Sequence, residues 1–310
     1  MEEGEGKALA GVAHQSLAFR FSDGAAPSPD VRFVPLRRQE QLGAQSPKKK
    51  EQKETSESLC ERPVSQQPLA LSDEDNPLSA VKTALWDPHQ EGCIVVADAE
   101  AVQTFNIGGG KLSRQVTLHV GQRCMGACLD PHHRQQLSTV DDGHLKTWDL
   151  RTSRLAFRKD GVHLFGAKDV DYNPNVPYQV LTTGEDACLR FWDLRQLSTC
   201  LRSLSGGHHH WVVKARFNAH HDQLVLSCGT DSMLCLWRAT SVASAPLGGK
   251  RGEEAARASD GLVRKYEEHE DSCYSCCWSS SDAWVFASVS FDGKLVVNRV
   301  PDEEKYRILM

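Results

Sequence analysis

Three side-chain types that could carry out acyl transfer recur in this chain at one fixed spacing. An imidazole is followed 19 residues later by a hydroxyl, and 4 residues after that by a carboxylate. The sets are His163, Thr182 and Asp186; His208, Ser227 and Asp231; and His269, Ser288 and Asp292. A histidine held between a hydroxyl and a carboxylate is the equipment of a hydrolase. The repetition argues against that chemistry, because an active site needs one such set and this chain repeats it. The aromatic residue 6 positions beyond the carboxylate, Trp192 or Trp237, with Asn298 in the third set, suggests scaffolding instead. In such a scaffold the carboxylate accepts from the imidazole, whose other ring nitrogen meets the hydroxyl, and the hydroxyl takes the indole N–H. Charge-assisted links of this kind are worth about 1.5–3 kcal/mol each, and removing one member strands its neighbours. The same ruler laid on His119 lands on Ser138, Asp142 and Trp148.

The segments that must position these groups are short and rich in Val, Leu, Phe and Trp, and Asp-Gly, Asn-Pro or Gly-Thr-Asp turns punctuate them. That pattern reads as strands joined by tight turns. DGHLKTWDLR, DACLRFWDLR and DSMLCLWR resemble the WD-repeat β-propeller family, in which each repeat builds one four-stranded blade. Trp148 to Trp192 spans 44 residues, Trp192 to Trp237 spans 45, and Trp237 to Asn298 spans 61. One blade therefore carries an insertion, placed at residues 240–261. The expected fold is all-β, a WD-repeat propeller with five readable blades at about 78–118, 119–160, 161–205, 206–264 and 265–310. Tyr306–Met310 is expected to be the outer strand of the last. Residues 1–77 lack the ruler and are polar across Gln39–Gln67, which favours disorder or at most a degraded blade. Lys48-Lys49-Lys50 lies in that stretch and reads as solvated charge.

Composition narrows the function. The chain has 310 residues, 40% hydrophobic and 25% charged, and a net charge of −5. That balance is globular and argues against a nucleic-acid surface. The acidic start and the lack of a long apolar run predict neither a signal peptide nor a membrane span, so membrane contact would be indirect. Eleven cysteines without regular spacing suit a reducing compartment. Cys188, Cys228 and Cys235 are expected in strand cores. Cys273 and Cys276 form a C-x-x-C, but residues three apart on a strand point to opposite faces, so free thiols are expected and no metal. His132-His133 and His220-His221 are expected as solvated turn residues. Gly108-Gly109-Gly110 lacks the Lys-Ser/Thr of a phosphate loop. No cofactor is implied.

Lys265–Met310, His208–Ser232 and Asp169–Asn175 are similar to the EARP- and GARP-complex-interacting protein family, whose members have seven blades. Asn298 in place of the blade tryptophan fits that likeness. It implies a non-catalytic cytoplasmic adaptor for the EARP and GARP vesicle tethers, peripheral at endosomes and the trans-Golgi network. Its work would be endosomal recycling, retrograde transport and secretory-granule cargo sorting. Blade geometry projects residues three and five after each latch histidine onto one face, Trp211, Ser272, Tyr274 and Lys168. It does the same for those just before each turn carboxylate, Asp141, Glu185, Thr230 and Phe291. These are the expected partner-binding residues. A different reading comes from LTTGEDACLRFWDLR, which resembles the box that docks some WD-repeat proteins onto a cullin-RING ubiquitin ligase adaptor, with Arg195 and Arg151 as its contacts.

Overall fold

The computed structural model of the protein describes residues 81–108, 111–121, 123–244 and 260–310. The expectations for residues 1–77, including the lysine run, and for most of the 240–261 insertion lie outside the described residues.

The apolar runs become strands where the sequence patterning puts them. The first sheet holds β1 (Thr83–Trp86), β2 (Cys93–Ala97), β3 (Ala101–Gly108) and β4 (Lys111–His119). The second holds β5 (Gly126–Leu129), β6 (Gln136–Val140), β7 (His144–Asp149) and β8 (Arg154–Asp160). The third holds β9 (Ala167–Tyr172), β10 (Gln179–Gly184), β11 (Leu189–Asp193) and β12 (Arg202–Leu204). The fourth holds β13 (Val212–Phe217), β14 (Leu224–Gly229), β15 (Leu234–Arg238) and β16 (Gly261–Tyr266). The fifth holds β17 (Cys273–Trp278), β18 (Val285–Ser290) and β19 (Leu295–Arg299). Neighbours pair antiparallel in chain order, so each sheet is a meander of the kind that makes a propeller blade. The innermost strands pack β1 on β5, β5 on β9, β9 on β13 and β13 on β17. Among the described residues the result is a β-propeller of five blades with one short terminal helix.

Most of the core lies between blades, although Ala84, Ile94, Val96 and Phe105 cluster within the first. Leu181, Leu189 and Phe191 of the third blade share a cluster with Val225, Trp237 and Phe217 of the fourth. Leu224, Leu226 and Leu236 of the fourth pack on Trp278 and Phe286 of the fifth. Burying one such side chain stabilises by about 1.5–3 kcal/mol.

A second device joins the blades at the end of each inner strand. There Asp130, Asn173 and Asn218 close turns by accepting two backbone amides each, at 2.7–3.1 Å. The same turns then reach the next blade. His132 Nε2 lies 3.0 Å from the Asn173 carbonyl, Asn173 Nδ2 donates to Asp222 at 3.1 Å, and Asn218 Nδ2 donates to the Ala283 carbonyl at 2.6 Å. Deeper in, Arg216 pairs with Asp169 at 2.5 Å, and the Phe217 amide donates to Asp171 at 2.9 Å. Burial, reinforced by Asp169, pushes the Asp171 carboxyl up to about 6, against the pull of Arg216 and the Phe217 amide.

Several expectations need correction. Tyr306–Met310 is not an outer strand, because Asp302–Leu309 forms a helix, α1. Pro301 leads into it, Asp302, Glu303 and Glu304 occupy its first turn, and Arg307 its last, so its charges oppose the helix dipole. Glu304 is buried against Arg238 of the fourth blade, with Oε1 2.6 Å from Nε, and Ile308 packs on the core between the last two blades. Cys273 and Cys276 do not point to opposite faces. A bulge between Cys273 and Ser275 shifts the register, and both thiols enter one buried cluster. Cys228 and Cys235 are strand core residues, whereas Cys188 is half-buried in the turn before β11. The histidine pairs are not simply solvated either. His133 Nδ1 pairs with Asp130 at 2.9 Å, and His221 stacks on Trp284 of the next blade at 4.5 Å.

Candidate functional site

Each latch begins with a histidine in the loop that enters a blade. His208 Nδ1 lies 3.1 Å from both Asp231 carboxylate oxygens, and its Nε2 is 2.7 Å from Ser227 Oγ. Trp237 Nε1 donates to that same hydroxyl at 2.7 Å. In the third blade His163 meets Asp186 at 2.8 Å and Thr182 at 2.9 Å, and Trp192 donates to Thr182 at 2.9 Å. In the fifth, His269 lies 3.3 Å from Asp292 and 2.8 Å from Ser288. There Asn298 supplies no indole, and its own Nδ2 is buried without a partner. Gly229 has to be glycine. A Cβ there would stand 2.8 Å from His208 Nδ1 and 2.7 Å from Asp231 Oδ1, where the ring and carboxylate already lie.

Ser227 and Thr182 are fully buried and each serves an imidazole and an indole at once. No substrate carbonyl can reach such an oxygen. The carboxylates do a further job, accepting the backbone amide of the residue after the histidine, at 3.1 Å from Leu164, 2.8 Å from His209 and 3.0 Å from Glu270. Burial alone would raise the Asp186 carboxyl. The His163 hydrogen bond and charge, the Leu164 amide and Arg190 outweigh it and hold the group at about 2. The latch therefore pins each entry loop to the turn between the second and third strands. Those loops and turns make up one face of the propeller.

The second blade departs from the ruler. His119 lies at the end of β4 in the first blade and takes no part. Trp148 Nε1 donates to Thr139 at 2.9 Å, not to Ser138. Ser138 instead bonds Thr147 and the Tyr172 hydroxyl of the next blade, at 2.7 and 2.6 Å. Asp142 is exposed, and Asp141 does the binding, with Lys146 Nζ at 2.7 Å. The turn is one residue shorter than in the third blade, since Thr139 precedes Trp148 by 9 positions and Thr182 precedes Trp192 by 10. Lys146 also donates to the Val120 carbonyl at 3.4 Å, as Arg190 does to the Val162 carbonyl in the third blade, and Gly121 follows Val120 where His163 follows Val162.

On the face itself, the expected residues form a run of contacts across three blades. Lys168 pairs with Glu185 at 2.5 Å and lies 4.6 Å over the Trp211 ring. The Thr230 amide donates to the Trp211 carbonyl at 3.0 Å, and Ser272 Oγ donates to the Thr230 carbonyl at 3.1 Å. The Phe291 amide donates to the Ser272 carbonyl at 3.1 Å, and the Phe291 and Tyr274 rings sit 4.8 Å apart. Asp141 is not part of this run, being buried under Lys146. Leu164 and Phe165, which the spacing rule missed, are the most prominent additions. Leu164 is 74% exposed, Phe165 66%, Phe291 72%, and Trp211 and Tyr274 40% each. The missed signal was an apolar pair directly after a latch histidine, where the other blades carry His209-His210 and Glu270-Asp271. Arg195 is held by Asp193 at 2.6 Å and lies 5.2 Å over Tyr178, and Arg151 lies 3.4 Å from Asp149. Both arginines are engaged within their own WDLR turns or strand ends.

Among the described residues, no helix is long and apolar enough to cross a membrane, and no group of three or more His, Cys, Asp or Glu side chains is arranged to hold a metal.

Comparison with known proteins matches residues 57–237 to the family model described as EIPR1 beta-propeller, and residues 260–297 to that described as WD domain, G-beta repeat. The chain is 40% identical over 195 residues to the EARP and GARP complex-interacting protein 1 of Macaca fascicularis, covering 58% of this chain and 50% of that protein. It is 36% identical over 250 residues to an EARP-interacting protein homolog of Danio rerio, covering 73% of this chain and 64% of that one. With the EARP-interacting protein 1 of Caenorhabditis elegans it shares 32% identity over 239 residues, covering 72% and 66%. The chain spans about half the length of the mammalian relatives it matches.

Proposed function

Because this chain belongs to the EIPR1 beta-propeller family, we propose that it is a non-catalytic WD-repeat adaptor that binds the EARP and GARP vesicle-tethering complexes. It works in endosomal recycling and in endosome-to-trans-Golgi retrograde transport, from the cytoplasm and peripherally at those membranes. The observation that carries the reading is the continuous exposed face from Leu164 to Phe291. It gathers five large apolar side chains on loops and turns that the latches hold rigid. A rigid aromatic patch of that kind is what protein recognition uses, since a few desolvated aromatic anchors dominate interface energies at about 2 kcal/mol or more each. Relatives whose names give EARP or GARP as the partner identify which complexes to try first. Trp211 and Tyr274 are the anchors, with Lys168, Glu185, Thr230, Ser272 and Phe291 completing the contact surface.

The test is affinity capture with the tagged full chain, followed by identification of the tether subunits retained. Retention of EARP or GARP subunits by the wild type, lost in Trp211→Ala with the protein still folded, supports the adaptor. Capture unaffected by Trp211→Ala and Phe291→Ala moves the site off this face, and absence of both tethers overturns the reading.

A further inference from the structure

The docking face is not uniform along the ring. Directly after the latch histidine it carries Leu164-Phe165 in the third blade, His209-His210 in the fourth and Glu270-Asp271 in the fifth, all exposed. Apolar surface at one end thus gives way to carboxylates at the other. Equivalent positions tell the same story. Five residues after the histidine and just before the turn carboxylate, the third blade has the ion pair Lys168–Glu185, while the fifth has the ring pair Tyr274–Phe291.

Lys168 shows what a cation does on this face, lying 4.6 Å over the Trp211 ring. The Tyr274–Phe291 pair lies over no such cation among the described residues. The loop that leads into β17 holds Glu267, Glu268, Glu270 and Asp271, all exposed. Lys294 answers part of that charge, pairing with Glu270 at 2.5 Å, but both side chains are largely solvated. Exposed rings beside unbalanced carboxylates attract a positive group, because quadrupole and charge act with the same sign.

We propose that the segment occupying this face belongs to a partner protein and has a fixed polarity. Apolar side chains cover Leu164, Phe165 and Trp211, and an arginine or lysine sits on the Tyr274–Phe291 pair beside Glu270 and Asp271. This rests on the docking face described above and adds the chemistry and direction of the partner. An arginine is favoured over a lysine at that end, since its planar guanidinium can stack on a ring and offer two parallel N–H groups to a carboxylate.

The experiment is a titration of purified EARP complex onto the immobilised full chain at about 50 mM and about 300 mM salt, across which exposed charge pairs are increasingly screened. The wild type binds more weakly at the higher salt. Glu270→Gln with Asp271→Asn weakens binding about tenfold at low salt and flattens the salt dependence. Lys294→Ala, which frees Glu270, tightens binding, and Phe165→Ser weakens it equally at both salts. Thermal unfolding of each variant within a degree or two of the wild type shows that the fold is kept. Salt-independent binding, or acid-to-amide variants that bind like or better than the wild type, overturns the polarity. If Phe165→Ser and Phe291→Ala still weaken binding in that case, the docking face stands and only the cationic end falls. A wild type that binds no tether at either salt removes both.

Discussion

The fourth and fifth blades solve the same packing problem in opposite ways. In the fourth, Trp237 on the third strand stands across from Val225 on the second. The third blade repeats this with Trp192 across from Val180. In the fifth, Asn298 stands where the indole would be, and the residue across from it is Phe286. Bulk has moved from one strand to its neighbour. Phe286 fills the core together with Trp278, whose indole donates to the Arg216 carbonyl of the fourth blade at 3.1 Å. The histidine, hydroxyl and carboxylate stay in place in both blades. The polar part of the latch is therefore separable from the tryptophan, which mainly fills volume and ties up one hydroxyl lone pair. The fifth blade also ends at β19 among the described residues, and α1 turns back onto the fourth blade through Glu304 and Arg238.

The largest effect should come from emptying the fourth blade. Trp237→Ala removes a fully buried indole and is expected to cost about 3–5 kcal/mol, read from the denaturant midpoint; Trp192→Ala should behave alike. An unchanged midpoint would mean the tryptophan does not fill the core as described. Exchanging the two solutions sharpens the comparison. Asn298→Trp alone should destabilise by about 1–3 kcal/mol through crowding against Phe286, and adding Phe286→Val should recover much of that loss. Failure of the pair to rescue would show that bulk is not interchangeable between these strands.

Proton linkage gives a second, smaller contrast. Asp171 titrates near 6 in the fold against an unfolded value near 3.9. A raised carboxyl makes the native state hold its proton more tightly, so stability is greatest below the unfolded value and falls as pH rises through the folded one. Asp171→Asn is expected to stabilise by on the order of 2 kcal/mol at pH 7 and to do little at pH 4. Asp186, held at about 2, works the other way. Its contribution is present above the unfolded value and lost as pH drops from about 4 towards 2, so Asp186→Asn should cost stability at pH 6 and progressively less below pH 4. Unfolding curves across pH check both signs. The smallest stability effect belongs to the rim, where Trp211→Ala should leave the midpoint almost unchanged.

What the sequence made legible follows from what was periodic in it. Equal spacing placed His208, Ser227, Asp231 and Trp237 in one repeat, and in the structure they hydrogen-bond to one another. The ruler misleads at His119 because the turn after β6 is one residue shorter: Trp148 keeps its place, but its hydroxyl partner is Thr139 rather than Ser138 and the carboxylate that binds is Asp141 rather than Asp142. The Asp130, Asn173 and Asn218 turns recur as regularly as the latch, yet they went unread, because an Asx turn's link to the next blade appears only once blades are side by side. Local charge and Pro301 could have revealed α1, but a short apolar terminus after four blades pulled the reading towards a strand. The bulge at Cys273 left no pattern in the residues, and it alone turned two thiols to the same side. On the face, contact positions counted from the histidine were legible, while Leu164 and Phe165 were passed over because exposure, not spacing, marks them.

Latches that only hold shape and a rim that only binds should come apart in one measurement. It is the dissociation constant for purified EARP complex, taken alongside the thermal midpoint, for a Trp211→Ala, Phe291→Ala double variant of the full chain. Loss of the Trp211 anchor and of the exposed Phe291 ring beside Tyr274, at about 2 kcal/mol each, predicts affinity lowered by at least about a hundredfold with the midpoint kept. Wild-type affinity in the double variant, or a midpoint that collapses along with binding, would contradict the account.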